Sequence, residues 1–328
     1  MHSKPILALL LVLLLLSACA QAAPAPVAVV VVATPTVVPI ATQAEIPTLQ
    51  PITETDARGK AFEFAQAVSR IISLAPANTE ILFAVGAGAQ VFGRDSYSDF
   101  PAEVKSIADV GDTLGTINTE AILAAKPDLI LAGDLTPAEH IQTLEDLGLR
   151  VFVLGNPKNL AEMYDNLLLV ARVTGHVQPT EALVNSLKER EKVIDQKLAG
   201  VTERALVLYE LDGTDPNAPW VPGPGTFVDT LITQAGGTNL GASLEGTWVQ
   251  VSLETLIEKQ PDLILLGDAT WGGMTVQMVA DRGGWDALTA VKNGKVFPFD
   301  DNLVSRPGPR MLEGLEALAK FLHPELFQ

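Results

Sequence analysis

The residues best suited to touching a ligand in this chain are aromatic rings and guanidinium groups beside Gly, Pro and Ser. Tyr97 sits between Ser96 and Ser98, and Trp220 precedes a Pro-Gly-Pro-Gly run. Trp248 follows Gly246 and Thr247, Trp271 precedes Gly272 and Gly273, and Arg306 and Arg310 flank Pro-Gly-Pro. Rings at such positions offer flat apolar contact with a polar edge. Arginines offer planar forks for carboxylates or phosphates. This is the chemistry of binding. Trp285, spaced with Leu288, is instead read as a core residue.

The residues of catalysis do not assemble. His2, His140, His176 and His323 show no metal-ligand spacing. There is no Gly-x-Ser-x-Gly, no phosphate-binding loop ending in Gly-Lys-Ser or Gly-Lys-Thr, and no complete dinucleotide fingerprint at Gly86-Ala-Gly88 or Gly223-Pro-Gly225. Adjacent carboxylates occur at Asp300 and Asp301, but among 39 acidic residues an adjacent pair is expected by chance. A net charge of −17 argues against nucleic acid and anionic lipid as partners.

The elements that hold these residues announce themselves by repetition. Pro127-Asp-Leu-Ile-Leu-Ala-Gly-Asp134 returns as Pro261-Asp-Leu-Ile-Leu-Leu-Gly-Asp268, 134 positions later, with Glu120 and Glu254 each seven residues upstream. A helix-then-strand unit occurring twice implies two similar lobes, and ligands favour the cleft between lobes. Strands at 70–75, 91–93, 129–131 and 151–154 alternate with helical segments, which indicates a doubly wound parallel sheet. Asn118 and Ser252 cap the two repeat helices, and Asn78 or Thr79 is expected to cap a helix with Glu80 in its first turn. Between the two copies, Pro179 to Ala199 reads as one long helix.

Ahead of this body, Lys4 and the apolar run 6–16 form a signal segment too short to span a bilayer comfortably. Leu16-Ser-Ala-Cys19 resembles the lipobox of bacterial lipoproteins, in which the cysteine is acylated; Cys19 is the only cysteine. The expected organisation is a signal peptide (1–19), a Pro/Ala/Thr/Val-rich tether (20–60), an N-terminal lobe (61–176), a linking helix (177–200) and a C-terminal lobe (201–328).

Seven segments carry a family resemblance: Ser73-Leu-Ala-Pro-Ala-Asn-Thr-Glu80, Ser96-Tyr-Ser-Asp-Phe-Pro101, the two Pro-Asp-Leu-Ile-Leu units, Ala235-Gly-Gly-Thr-Asn239, Trp248-Val-Gln-Val-Ser252 and Arg306-Pro-Gly-Pro-Arg310. Together they resemble the substrate-binding proteins of ABC importers for cobalamin, ferric siderophores and haem. The resemblance implies two Rossmann-like α/β lobes with parallel sheets, one long joining helix and a cleft between the lobes. It implies no enzymatic activity and no resident cofactor. The partners it implies are an ABC permease with its ATPase, a small metal chelate and a membrane reached through the lipid anchor, for a monomeric extracytoplasmic protein.

Ligand contacts are then expected at Ser96, Tyr97, Trp220, Trp248, Trp271, Arg306 and Arg310. An acidic residue on each lobe is expected to dock the permease: Glu80 on the first, and Asp229 on the second, where Thr230 and Thr233 stand at the usual glutamate positions. The Tyr97 and Trp248 segments look most like cobalamin binders. However, Val110 to Gly115 lacks both the tryptophan of those proteins and the iron-ligating tyrosine of many haem binders. Tyr97 could ligate a haem iron, so the chelate stays open. A two-lobed metal-cluster enzyme would need cysteines or clustered histidines; a sensor lipoprotein would keep the lobes without the cleft.

Overall fold

Parallel strands covered on both faces need continuous apolar runs rather than alternation, and the two Pro-Asp-Leu-Ile-Leu copies supply them. In the computed structural model, which describes residues 51–327, each copy is an inner strand of its own four-stranded parallel sheet. The signal segment, Cys19 and most of the expected tether lie outside the described residues.

The described chain begins with a hairpin, β1 (Ile52–Thr55) antiparallel to β2 (Ala61–Phe64). Its first strand and turn fall within the span 20–60 expected to be tether. Asp56 closes the turn by accepting the backbone N–H groups of Arg58 and Lys60 at 2.9 and 3.0 Å. Phe62 and Phe64 are buried, Phe62 lying against Phe152 with ring centroids 5.1 Å apart.

The first lobe follows as β3 (Ile71–Ser73), α1 (Pro76–Ala84), β4 (Val91–Arg94), α2 (Thr119–Ala125), β5 (Leu129–Gly133), α3 (Ala138–Asp146), β6 (Val151–Leu154) and α4 (Leu160–Thr174). Its strand order is β4-β3-β5-β6. Asn118 caps α2, its Oδ1 accepting from the Ala121 N–H at 3.0 Å. Helix α1 starts earlier than expected: Pro76, with its fixed φ and no N–H to satisfy, opens the first turn, and no side chain caps it. Glu80 consequently falls in the second turn, inside the protein.

Helix α5 (Val177–Leu198) has 22 residues and, at 1.5 Å per residue, spans about 33 Å. The second lobe comprises β7 (Leu206–Glu210), β8 (Trp220–Pro222), α6 (Phe227–Gln234), β9 (Thr238–Asn239), β10 (Trp248–Gln250), α7 (Leu253–Lys259), β11 (Leu263–Leu266), α8 (Asp268–Trp271), α9 (Val276–Ala280), α10 (Thr289–Lys292), β12 (Val296–Pro298) and α11 (Met311–Leu322). Its sheet runs β12-β11-β7-β9, and β8 and β10 form a separate antiparallel ribbon.

Successive strand residues serve different cores, as the two-residue period of a strand requires. In the first sheet Ile71, Leu129 and Leu131 face one cluster, and Ile72 and Ile130 another. In the second sheet Val207, Leu263 and Leu265 join the same cluster as Ile71, while Leu208, Ile264 and Leu266 have their own. One continuous core thus runs through both lobes, and α5 contributes Val184, Leu187, Ile194 and Leu198 to it. A shared core and a stiff helix both resist wide lobe opening.

The repeat extends to backbone detail. Lys126 and Gln260, again 134 apart, end α2 and α7 in the left-handed region at φ 49° and 50°. They are the positive-φ non-glycine residues among the described residues. Both precede a proline, which disfavours further right-handed helix.

Trp285 lies in a short 3-10 turn (Trp285–Ala287) and is fully buried. Its Nε1 donates to the Pro216 carbonyl at 2.9 Å, and the Arg282 guanidinium lies 4.4 Å from its ring centroid. Trp285→Ala should lower unfolding stability in urea by about 3–5 kcal/mol, the range for emptying a large aromatic site. A loss below about 1 kcal/mol would show that this packing is not structural.

Candidate functional site

In an open parallel sheet the loops after the strand carboxyl ends make the binding crevice, and here the two lobes turn those ends toward one cleft of about 470 Å³. The first lobe lines it with Ala75 and Pro76 after β3, Asp95 and Tyr97 after β4, and Asp134 and Leu135 after β5. The second lobe contributes Leu211 after β7, Thr270 and Trp271 from α8, and Asp301 and Asn302 after β12, together with Phe227 and Trp248.

Of the seven residues expected to contact ligand, Tyr97, Trp248, Trp271 and Arg306 line the cleft; Ser96, Trp220 and Arg310 do not. Tyr97 is 56% exposed and Trp271 60%, so both rings are available. Trp248 stands edge-on to Phe227, with centroids 5.9 Å apart. Trp220 shares a face of the ribbon with Trp248, since Trp248 pairs with Pro222 and Gln250 with Trp220, but it lies beyond the cleft. Ser96 instead donates from Oγ to Asp109 Oδ1 at 2.9 Å, fastening its loop. The Tyr97 hydroxyl donates to Asp112 at 3.3 Å.

The arginines are already engaged. Arg310 forks onto Glu80, Nε to Oε2 at 2.8 Å and Nη2 to Oε1 at 2.6 Å. Arg306 donates from Nη1 to Asp99 Oδ1 at 2.5 Å and lies 3.4 Å from Glu80 Oε1. Glu80 comes from the first lobe and both arginines from the second, so this is an ion cluster across the lobe boundary. The Glu80 side chain is only 1% exposed. A carboxylate so enclosed has no face to offer a docking partner, which corrects its expected role. Asp229, by contrast, is half-buried near the start of α6, its two oxygens accepting from the Gly225 N–H at 2.9 Å and the Asn239 amide at 3.0 Å.

What sequence reasoning missed was reachable through the repeat. Leu114 lines the cleft at 62% exposure and stands 134 positions before Trp248. The two lobes therefore present equivalent positions to the cleft, aliphatic in one and aromatic in the other. Glu120 and Glu254 are both exposed, on the first turns of α2 and α7. Leu123 and Ile257, one turn further on, are exposed as well. Burial pushes the carboxyls of Asp95 and Asp301 up from their ordinary values; Ser98 donates to Asp95, and the Tyr209 hydroxyl donates to Asp301 at 2.7 Å. Among the described residues no group of three or more His, Cys, Asp or Glu is placed to hold a metal ion.

The sequence profile of the periplasmic binding proteins matches residues 71–303, which takes in both sheets. The chain belongs to this family. Its members are substrate-binding proteins of transport systems, not enzymes. An uncharacterized ABC transporter substrate-binding lipoprotein, YvrC of Bacillus subtilis, is 32% identical over 283 residues, covering 85% of this chain and 87% of that protein. The crystal structure of the vitamin B12 binding protein BtuF of Vibrio cholerae is 27% identical with a TM-score of 0.67, covering 80% of this chain and 99% of that one. The apo form of the heme-binding protein RhuT from Roseiflexus is 26% identical with a TM-score of 0.69, covering 79% and 99%. The two-lobed α/β architecture expected from the sequence is the fold of this family.

Behind the second-lobe wall of this binding protein lies a buried charged group. Arg282 donates to both oxygens of Glu210 at 2.6 and 2.9 Å. Asp268, at the start of α8, accepts the Gly213 N–H at 2.8 Å on Oδ2, while its Oδ1 has no partner. Burial, opposed by Arg282 and reinforced by Asp268, pushes Glu210 up to about 7. A carboxyl whose pKa is higher folded than unfolded contributes stability in acid that is lost as pH rises through the folded value. The unfolding midpoint should therefore fall as pH is raised from about 4.5 to about 7 and level off above that, and Glu210→Gln should flatten that dependence; an unchanged slope in the variant would assign it to another group.

Removing one partner of a buried pair leaves an uncompensated charge. Arg310→Met and Glu80→Gln should each cost about 3–5 kcal/mol in urea unfolding, and the double change less than the sum. Additive losses would mean that the pair does not act as a unit.

Proposed function

We propose that this protein captures a metal chelate outside the cytoplasm, a cobalamin-type corrinoid in first place, and delivers it to an ABC permease. The observation that carries this reading is a single cleft walled by Tyr97 from one lobe and Trp248 and Trp271 from the other, with Leu114 and Leu135 between. Such walls suit a broad, largely apolar macrocycle rather than a small ion. No His, Cys or Met is among the residues lining the cleft. That suits a cargo that keeps its metal in its own ligand set, as a corrinoid does. The relative named for vitamin B12 binding adds support.

Haem is the second reading, favoured by one feature: Tyr97 places an exposed phenol in the cleft, and phenolate ligates haem iron in some proteins. Titration of the full-length chain in detergent with cyanocobalamin and with haemin separates the two. Tight cobalamin binding with an unchanged visible band supports the first. A new iron–phenolate band that vanishes in Tyr97→Phe supports the second. Under the corrinoid reading, Trp248→Ala should weaken binding by about 1–2 kcal/mol, in the range for truncating a contact residue.

Anchoring through an acylated Cys19 belongs to the same proposal. Among the described residues no helix is long and apolar enough to cross a membrane. For docking, the equivalent exposed pairs Glu120 with Leu123 and Glu254 with Ile257 replace Glu80 and Asp229, because each lobe offers the same acidic and apolar combination from the same helix. Glu120→Ala with Glu254→Ala should leave ligand affinity unchanged and reduce uptake in cells. A loss of affinity would place these residues in the cleft machinery instead.

A further inference from the structure

The charges lining the cleft are one-sided. They are Asp95 and Asp134 from the first lobe, and Asp301 and Arg306 from the second. The Arg306 charge is matched before any ligand arrives, by Asp99 at 2.5 Å and Glu80 at 3.4 Å. Three carboxyls are left without a free cation in the cleft. Asp134 is exposed and accepts from the Asn156 N–H at 2.7 Å, leaving most of its acceptor capacity to the cleft. Asp301 is half-buried, its Oδ1 taken by Tyr209. Asp95 is buried and acts through its field. An independent sign of unmet polar demand lies beside them: the Thr113 hydroxyl, on a residue only 4% exposed that lines the cleft, has no hydrogen-bond partner in the protein.

Carboxylates only accept hydrogen bonds when ionised, and they repel other anions across a low-dielectric cleft. We propose that Asp134 and Asp301, backed by Asp95, select cargo whose side arms donate hydrogen bonds, amides or ammonium groups, and reject cargo whose arms are carboxylates. This rests on the chelate-binding reading above and adds what the rim of the chelate must carry. It also reverses the expectation drawn from Arg306 and Arg310 that the cleft would grip an anionic group.

The test changes the charge of the side arms on a constant macrocycle, by one unit on the corrinoid and by two on the porphyrin. Affinities of the full-length chain would be compared for cyanocobalamin against its monocarboxylic acid derivatives, in which one amide is a carboxylate, and for haemin against its dimethyl ester. In each pair the uncharged arm should bind about ten-fold or more tightly, the scale of one like-charge contact. Asp134→Asn combined with Asp301→Asn should shrink that ratio towards one. Asp134→Asn alone, at an exposed site, should shrink it part of the way, and it guards against misfolding of the double variant. Equal affinity for acid and amide in the unaltered chain would overturn the proposal, as would a ratio that survives both substitutions. Failure of the corrinoid pair alone to bind would overturn the corrinoid reading and leave the haem pair to report on the carboxyls.

Discussion

A buried carboxylate must be answered by a cation, and in this protein the answer comes from the other lobe. Glu80 sits in α1, closed off from water, and the fork of Arg310 with the nearby Arg306 reaches it from the segment before α11. Arg310 also lies over the Phe100 ring, 4.2 Å from its centroid, so the loop that carries Tyr97 is held by the same cluster. The price of burying these charges is met only when both lobes are in place. The cluster thereby ties the two lobes together beside the cleft, which Arg306 lines, and the continuous core holds α5 and the two sheets as one piece. A ligand enters a site whose walls are already positioned.

The molecule is a duplicated plan with its symmetry broken where it meets cargo. Helices α2 and α7, their left-handed ends and the strands that follow are alike. At the cleft, Leu114 stands opposite in role to Trp248. Asp134 is exposed, whereas its counterpart Asp268 is buried against the Glu210–Arg282 pair and supports α8. The two walls thus offer different side chains to the cleft, Leu114 with Tyr97 on one and Trp248 with Trp271 on the other. The outer helix ends, which keep the same acidic and apolar pair in both lobes, suit a partner that is itself two-fold.

Much of this was legible in the sequence because it depends on local rules. Strands buried on both faces read as apolar runs, caps read as Asn118 and Ser252, and a tandem unit reads as two lobes. The site was half legible. Aromatic residues at Gly- and Ser-rich loops identified Tyr97, Trp248 and Trp271, since rings at strand ends have few places to go but the crevice. Charged residues misled. Arg310 looked available and Glu80 looked exposed because a sequence does not show which distant charge answers which; the partners here are 230 positions apart. Trp220 failed for a similar reason, as the pairing of β8 with β10 decides how far along the ribbon each ring sits.

The sequence by itself determined the α/β class, the duplication, the long helix between the copies and the bias towards binding over catalysis. Each of these follows from periodicity, spacing or the residue types present, which are properties of short stretches. Tertiary structure decided which side chains face the cleft, which arginines are already spent, and that the cleft carries net negative charge. Those outcomes depend on contacts between residues far apart in the chain, where burial turns an ordinary acid or base into a fixed half of a pair.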